Sequence, residues 1–150
     1  MARQSEPSDM DPDKIPNIDV SRDLKHASPE LVKRLLRAME KYKQQFPDRQ
    51  IIVTATYRSP EAQKKLWLVG RNGNKGSILT NCDGFIKKSR HNEYPSTAVD
   101  LAICIGGKVF YDETLMYPLG NMAKAEGLEW GGFWTKFSDP PHYQLPRNLI

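Results

Sequence analysis

The chain is poor in the residues that most often carry chemistry. It has three histidines in 150 residues, His26, His91 and His142. Its two cysteines, Cys82 and Cys104, form no CxxC pair and sit too far apart to read as metal ligands by spacing. Reduced, partly buried thiols are expected, and nothing else asks for an oxidising compartment. No stretch approaches the roughly 20 apolar residues of a membrane helix, so stable membrane insertion is not expected. Met1 to Asp13 carry acids, Pro7 and Ser8 but no apolar run, so no secretory signal is read there. A cytosolic product is the expectation. No internal repeat is visible.

Charge of either sign is also modest. Against 18 acidic residues stand 22 basic ones, a net charge of +4 with a pI near 9.1. That mild excess favours polyanionic partners without choosing among nucleic acid, anionic lipid and cell-wall polymer. No nucleic-acid reader motif accompanies it, so no nucleic-acid partner is expected. The length suits one domain with its own core.

Residues 1–20 are polar and contain Pro7, Pro12 and Pro16, which reads as a flexible lead-in to a domain over 21–150. Ser28-Pro29-Glu30 is a helix start: a hydroxyl cap, a proline in the first turn and an acid at the dipole's positive end. Leu31, Val32, Leu35, Leu36, Met39 and Tyr42 then recur at helical spacing and are expected to pack inward. Ile51 to Thr56 reads as a buried strand. Ser59-Pro60-Glu61 repeats the cap and Gly70 ends that helix. Residues 71–88, with Gly73, Gly76, Gly84 and three asparagines, read as a long surface loop. Ala98 to Cys104 is a strand, Gly106-Gly107 a hairpin turn, and Asp112 the cap of a third helix ending at Gly127. In that helix Leu115, Met116, Leu119 and Met122 are expected inward. Leu128-Glu129-Trp130 and His142 to Leu145 are two more short strands. This mixed order predicts an α+β single small domain, an antiparallel sheet with flanking helices.

Two of the histidines stand apart. His26 precedes a helix cap and reads as an ordinary surface residue. His91 and His142 each lie beside a strand and near an acid, Asp100 and Asp139. A hydrolytic zinc site typically keeps three nitrogen or oxygen ligands and one open position for water. It also needs a carboxylate to move the water's proton. Two histidines and two acids complete such a set, although spacing alone does not separate this from chance placement. Arg58 also fits a structural ion pair, and Asp139 a turn cap before Pro140. Glu129 competes as the base. Trp130, Phe133 and Trp134 fit core or rim packing as well as a substrate platform.

Ordered motifs go further. Thr56-Tyr57-Arg58-Ser59, Ser89-Arg90-His91-Asn92, Ala98-Val99-Asp100-Leu101, Trp130-Gly131-Gly132-Phe133-Trp134 and Asp139-Pro140-Pro141-His142-Tyr143-Gln144 follow one another in that order. Together they resemble the zinc D-Ala-D-Ala carboxypeptidase and L-alanyl-D-glutamate endopeptidase family (VanY-like), from about Arg22 to Leu145. That resemblance implies the hedgehog/DD-peptidase-like fold and one zinc ion held by His91, Asp100 and His142. It further implies Asp139 as the catalytic acid/base, Arg58 as the group that steadies the oxyanion, and Ser89 in the substrate pocket. The family motif SxHxxGxAxD is followed at Ser89, His91, Ala98 and Asp100. Eight residues, Asn92 to Val99, separate histidine from aspartate here, two more than in the motif, and its glycine is missing. A loop through Pro95 that bulges outward keeps both ligands in place.

The resemblance implies a peptidoglycan stem peptide as substrate and a monomer. The WGG-x-W and D-x-P-H pieces favour cleavage of L-Ala–D-Glu over removal of terminal D-alanine. They point to a phage endolysin that waits in the host cytoplasm until the membrane is opened. The other readings are a D-Ala-D-Ala carboxypeptidase and a non-catalytic zinc-binding module, as in hedgehog domains.

Overall fold

Side-chain oxygens start each of the three long helices where the sequence places them. Ser28 Oγ accepts from the Leu31 N–H and opens α1 (Pro29–Gln45). Ser59 Oγ accepts from the Ala62 N–H at 3.0 Å and opens α2 (Pro60–Leu68). The Asp112 carboxylate accepts from the Leu115 N–H at 3.1 Å and opens α3 (Glu113–Ala125). Each cap satisfies a backbone donor that the helix itself leaves unpaired. The computed structural model describes residues 15–150. Of the expected lead-in, residues 1–14 lie outside the described residues. Asp19 and Val20 are joined to the domain: the Ser59 N–H donates to the Asp19 carbonyl at 2.7 Å, and Val20 bridges Arg58.

The strands are β1 (Arg49–Ala55), β2 (Ala98–Ile105), β3 (Lys108–Phe110), β4 (Glu129–Trp130) and β5 (His142–Gln144). They form one antiparallel sheet in the order β1-β2-β5-β4, with β3 paired to the end of β2. The expected α+β architecture is the one observed.

Alternation along β2 and β5 gives the sheet two faces. Val99, Leu101, Ile103 and Tyr143 point into the core, against Leu31, Leu35, Ala38 and Tyr42 of α1 and Met116, Leu119 and Ala123 of α3. Fully burying each large apolar side chain contributes roughly 1.5–3 kcal/mol, so this layer anchors the fold. Leu36, expected inward, is 48% exposed. The buried positions 31, 35, 38 and 42 follow one stripe of the helix, and Leu36 lies a step of about 100° off it. In α3, Leu115 and Met122 are only partly buried, while Gly120 and Ala123 complete the inner stripe.

Close packing against Trp130 explains Gly120. A Cβ there would meet the indole at 2.2 Å, so only glycine lets α3 lie on the ring. Among the described residues, no helix is long and apolar enough to cross a membrane.

Candidate metal centre

Strand register brings the acid and one histidine together. In the antiparallel pairing of β2 with β5, Asp100 lies directly opposite His142. Both side chains leave the sheet on the face away from the core. His91 arrives from a short 3-10 turn, Arg90–Asn92, capped by Ser89. The ligand-type atoms of His91, Asp100 and His142 all lie within 4.8 Å of one another. His91 Nε2 is 3.1 Å and His142 Nδ1 3.5 Å from the same oxygen, Asp100 Oδ1.

The other nitrogen of each ring is already engaged. His91 Nδ1 donates to the Thr56 carbonyl at 2.7 Å. His142 Nε2 donates to Gln144 Oε1 at 2.7 Å. In the neutral tautomer that donates there, each ring turns its bare nitrogen toward the Asp100 carboxylate. Three lone pairs converging at this range repel one another unless a cation lies among them. Two imidazoles and a carboxylate are a donor set that suits zinc, so the residues present fit that ion.

The electrostatics follow the same arrangement. Burial pushes the Asp100 carboxyl up, but the adjacent His91 and His142 outweigh it and hold it well below the usual carboxylate range. For His142, burial disfavours the charged ring, yet the hydrogen bond and charge of Asp100 raise it overall. Asp139 is raised by burial and then by the Asp100 charge. Its Oδ2 lies 3.8 Å from His142 Nδ1.

The two residues added between His91 and Asp100 do not part them. Ser96 ties that loop down: its N–H donates to the His26 carbonyl and its carbonyl accepts from Ser28. The Ser96 hydroxyl is within hydrogen-bond reach of the Thr56 and Ala98 carbonyls, 2.9 and 2.5 Å away.

A cleft of about 420 Å³ opens over the cluster, lined among others by Arg58, Lys88, Ser89, Trp134, Asp139 and Gln144. Arg58 Nη2 reaches Asp100 Oδ2 at 3.3 Å, and Nη1 donates to Gln63 Oε1 at 2.9 Å. Ser89 uses its hydroxyl to accept from the His91 N–H at 3.2 Å and so shapes the ligand turn as well as the cleft. Trp134 packs its ring 5.1 Å from that of His142, at the rim. Trp130 is core, and its Nε1–H donates to the Pro140 carbonyl at 2.6 Å. Glu129 points instead to Gln144. His26 is half-buried, with Nδ1 2.6 Å from Ser21 Oγ. Cys82 and Cys104 are free thiols.

Four contributors escaped the reading from sequence: Thr56, Gln63, Gly131 and Gln144. Gly131 holds the Asp139 segment close, because its carbonyl accepts from the Asp139 N–H at 2.9 Å and a Cβ there would strike the Asp139 carbonyl at 2.4 Å. Thr56, Gly131 and Gln144 stand inside the quoted motifs, which was the one signal for them.

The fold and the donor cluster define a small α+β domain with a candidate metal centre on its sheet. A family model described as D-alanyl-D-alanine carboxypeptidase matches residues 86–145, the stretch that holds all three ligand-type residues. The peptidoglycan L-alanyl-D-glutamate endopeptidase CwlK of Bacillus subtilis (strain 168) is 31% identical over 108 residues, 65% of this chain. The chain spans 62% of that relative's length. The crystal structure of Serratia marcescens L-Ala D-Glu endopeptidase ChiX shares the fold, with a TM-score of 0.62 at 23% identity over 83% of this chain and 84% of that one. Along these matched stretches the chain is similar to D-alanyl-D-alanine carboxypeptidases and L-alanyl-D-glutamate endopeptidases, the VanY-like set that the ordered motifs resemble.

Proposed function

We propose that the protein is a zinc-dependent peptidoglycan hydrolase that cleaves the L-Ala–D-Glu bond of the stem peptide. The observation that carries this is the convergence of His91 Nε2, Asp100 Oδ1 and His142 Nδ1 at the floor of a cleft beside Asp139 and Arg58. The name of the CwlK relative supports the bond chosen. His91, Asp100 and His142 would hold the ion, which when bound would supply Lewis acidity.

The chain's own groups do the rest. Asp139, at the cleft wall, takes the proton of the attacking water and hands it to the leaving amine. Arg58 places a fixed cation where the scissile carbonyl oxygen gains negative charge. Its pairing with Gln63 keeps the guanidinium oriented before substrate arrives. Ser89 and Trp134 line the cleft that receives the peptide.

Release of a terminal D-alanine is the second reading, favoured by the description of the matching family model. Digestion of purified peptidoglycan with and without a chelator, followed by mass analysis, separates the two. New N-terminal D-Glu supports the endopeptidase, and free D-alanine supports the carboxypeptidase. No chelator-sensitive product overturns both. The biological setting we infer is that of a phage endolysin, held in the host cytoplasm until lysis. Lysis of host cells only when the chain is expressed together with a membrane-permeabilising protein tests it. Lysis by the chain alone contradicts it.

A further inference from the structure

Glu129 is a carboxylate that the proposed chemistry does not use. In the β4–β5 pairing it lies directly opposite Gln144. Gln144 Nε2 donates to Glu129 Oε1 at 2.6 Å, and Gln144 Oε1 accepts from His142 Nε2 at 2.7 Å. The three side chains make one line from an exposed strand edge to the centre of the cleft.

The chemistry of each group fixes the direction of that line. An ionised carboxylate only accepts hydrogen bonds. Glu129 therefore forces the Gln144 amide to turn its NH2 outward and its oxygen inward. An inward oxygen, in turn, forces the proton of a neutral His142 onto Nε2. The bare nitrogen is then Nδ1, the one that faces Asp100. Without Glu129 the amide is free to rotate by half a turn, and an inward NH2 would favour the opposite tautomer, with Nδ1 protonated and unable to bind a cation.

Period-two alternation explains how the sequence builds this. His142 and Gln144 share a strand face, while Tyr143 between them points into the core. Antiparallel register then supplies Asp100 to one of them and Glu129 to the other.

We propose that Glu129 and Gln144 are positioning residues that set the His142 tautomer and so tune the affinity of the site for zinc. This rests on the zinc reading given above. Outer partners of metal-bound histidines are typically worth about 10–100-fold in metal affinity.

The test is zinc affinity of the purified full chain, measured by competition with a chelating dye, with the absorption of bound Co2+ as a second readout. Glu129→Gln and Gln144→Leu are expected to weaken zinc binding by at least about tenfold. Melting of their metal-free forms should stay near that of the parent. The exchange variant Glu129→Gln/Gln144→Glu restores a group that accepts from His142, held by an amide at 129, and should recover most of the affinity. If both single variants bind zinc within twofold of a tightly binding parent, the relay is wrong and the metal site stands. If the single variants weaken and the exchange fails to recover, the loss belongs to the strand edge and the relay is again wrong. A parent that binds no zinc overturns the metal reading itself, and the relay with it.

Discussion

The two walls of the cleft are built on different principles. One is sheet: Asp100, His142 and Gln144 leave β2 and β5 at positions set by register, and Gly131 locks Asp139 beside them. The other is the stretch between α2 and the Ser89 turn, which contains no helix or strand. Side chains hold it instead. The Gln63 amide donates to the Cys82 carbonyl, Arg71 donates to the Trp67 and Thr80 carbonyls, and the Asp83 carboxylate accepts from the Phe85 and Lys87 N–H groups. This second wall displays exposed Ile78, Leu79, Phe85 and Ile86, with Lys88 at the cleft. A ladder of backbone bonds suits groups that must stay within a fraction of an ångström of one another. A tethered loop suits groups that meet a substrate and vary with it.

That contrast is broken most severely on the sheet wall. Asp100→Ala removes the acid that both histidines face. It should abolish zinc binding and hydrolysis together, a larger loss than removal of the acid/base group alone. Asp139→Ala should lower hydrolysis by about 10²–10⁴-fold while zinc remains bound. Metal content by mass spectrometry beside muropeptide release reads both. Full activity in Asp139→Ala would send the search for the base elsewhere. Gly131→Ala should come next, at about 10²-fold in rate, because displacing Asp139 by about 1 Å spoils the alignment without removing any reacting group. Zinc affinity unchanged beside a reduced rate would locate the damage at Asp139.

How legible this was in the sequence depends on the range of the interaction. Caps at Ser28, Ser59 and Asp112 are local, so the helix starts were readable from three or four consecutive residues. The hairpin turn at Gly106-Gly107 was readable for the same reason. Register is not local. Nothing in the composition or periodicity of either strand says that Asp100 faces His142; the ordered motifs alone linked them. Gln144 was printed in a motif, yet its part depends on Glu129, which stands fifteen residues away. Glu129 itself looked like a rival base, since an acid near a site reads the same whether it faces the cleft or the strand beside it. The loop was readable as a loop from its glycines and asparagines. Its tethers were not, because Gln63 lies in a helix and its loop partners, Thr80 and Cys82, stand 17 and 19 residues further along the chain.

A smaller effect is expected where the two walls meet. Gln63 is buried and links Arg58 on one side to Cys82 on the other. Gln63→Leu keeps the volume and deletes both links. Leaving those partners unpaired should cost about 1–3 kcal/mol of stability. The rate should fall about tenfold, since Arg58 loses an orienting contact but remains present. Thermal melting and turnover measured together decide this. A stable variant with normal turnover would mean that the loop wall positions itself without the helix.

The smallest effect should fall outside both walls, on the helix layer behind the sheet. Glu126 follows α3 and meets Arg37 at 2.7 Å and Lys41 at 3.2 Å from α1. The hydrogen bonds from Arg37 and then Lys41 hold its carboxyl below the ordinary value. A carboxyl whose folded value is depressed stabilises the fold above its unfolded value, and that contribution is lost as pH falls through the folded one. Glu126→Gln should therefore lower the melting temperature slightly at neutral pH, and the gap from the parent should close in acid. Salt should narrow it as well, because the pair lies near solvent. Zinc affinity and turnover should not move, since no element of either wall rests on this pair. A change in turnover here would mean that α1 and α3 transmit strain through Trp130 to the Pro140 carbonyl, and the division between scaffold and site would have to be redrawn at that tryptophan.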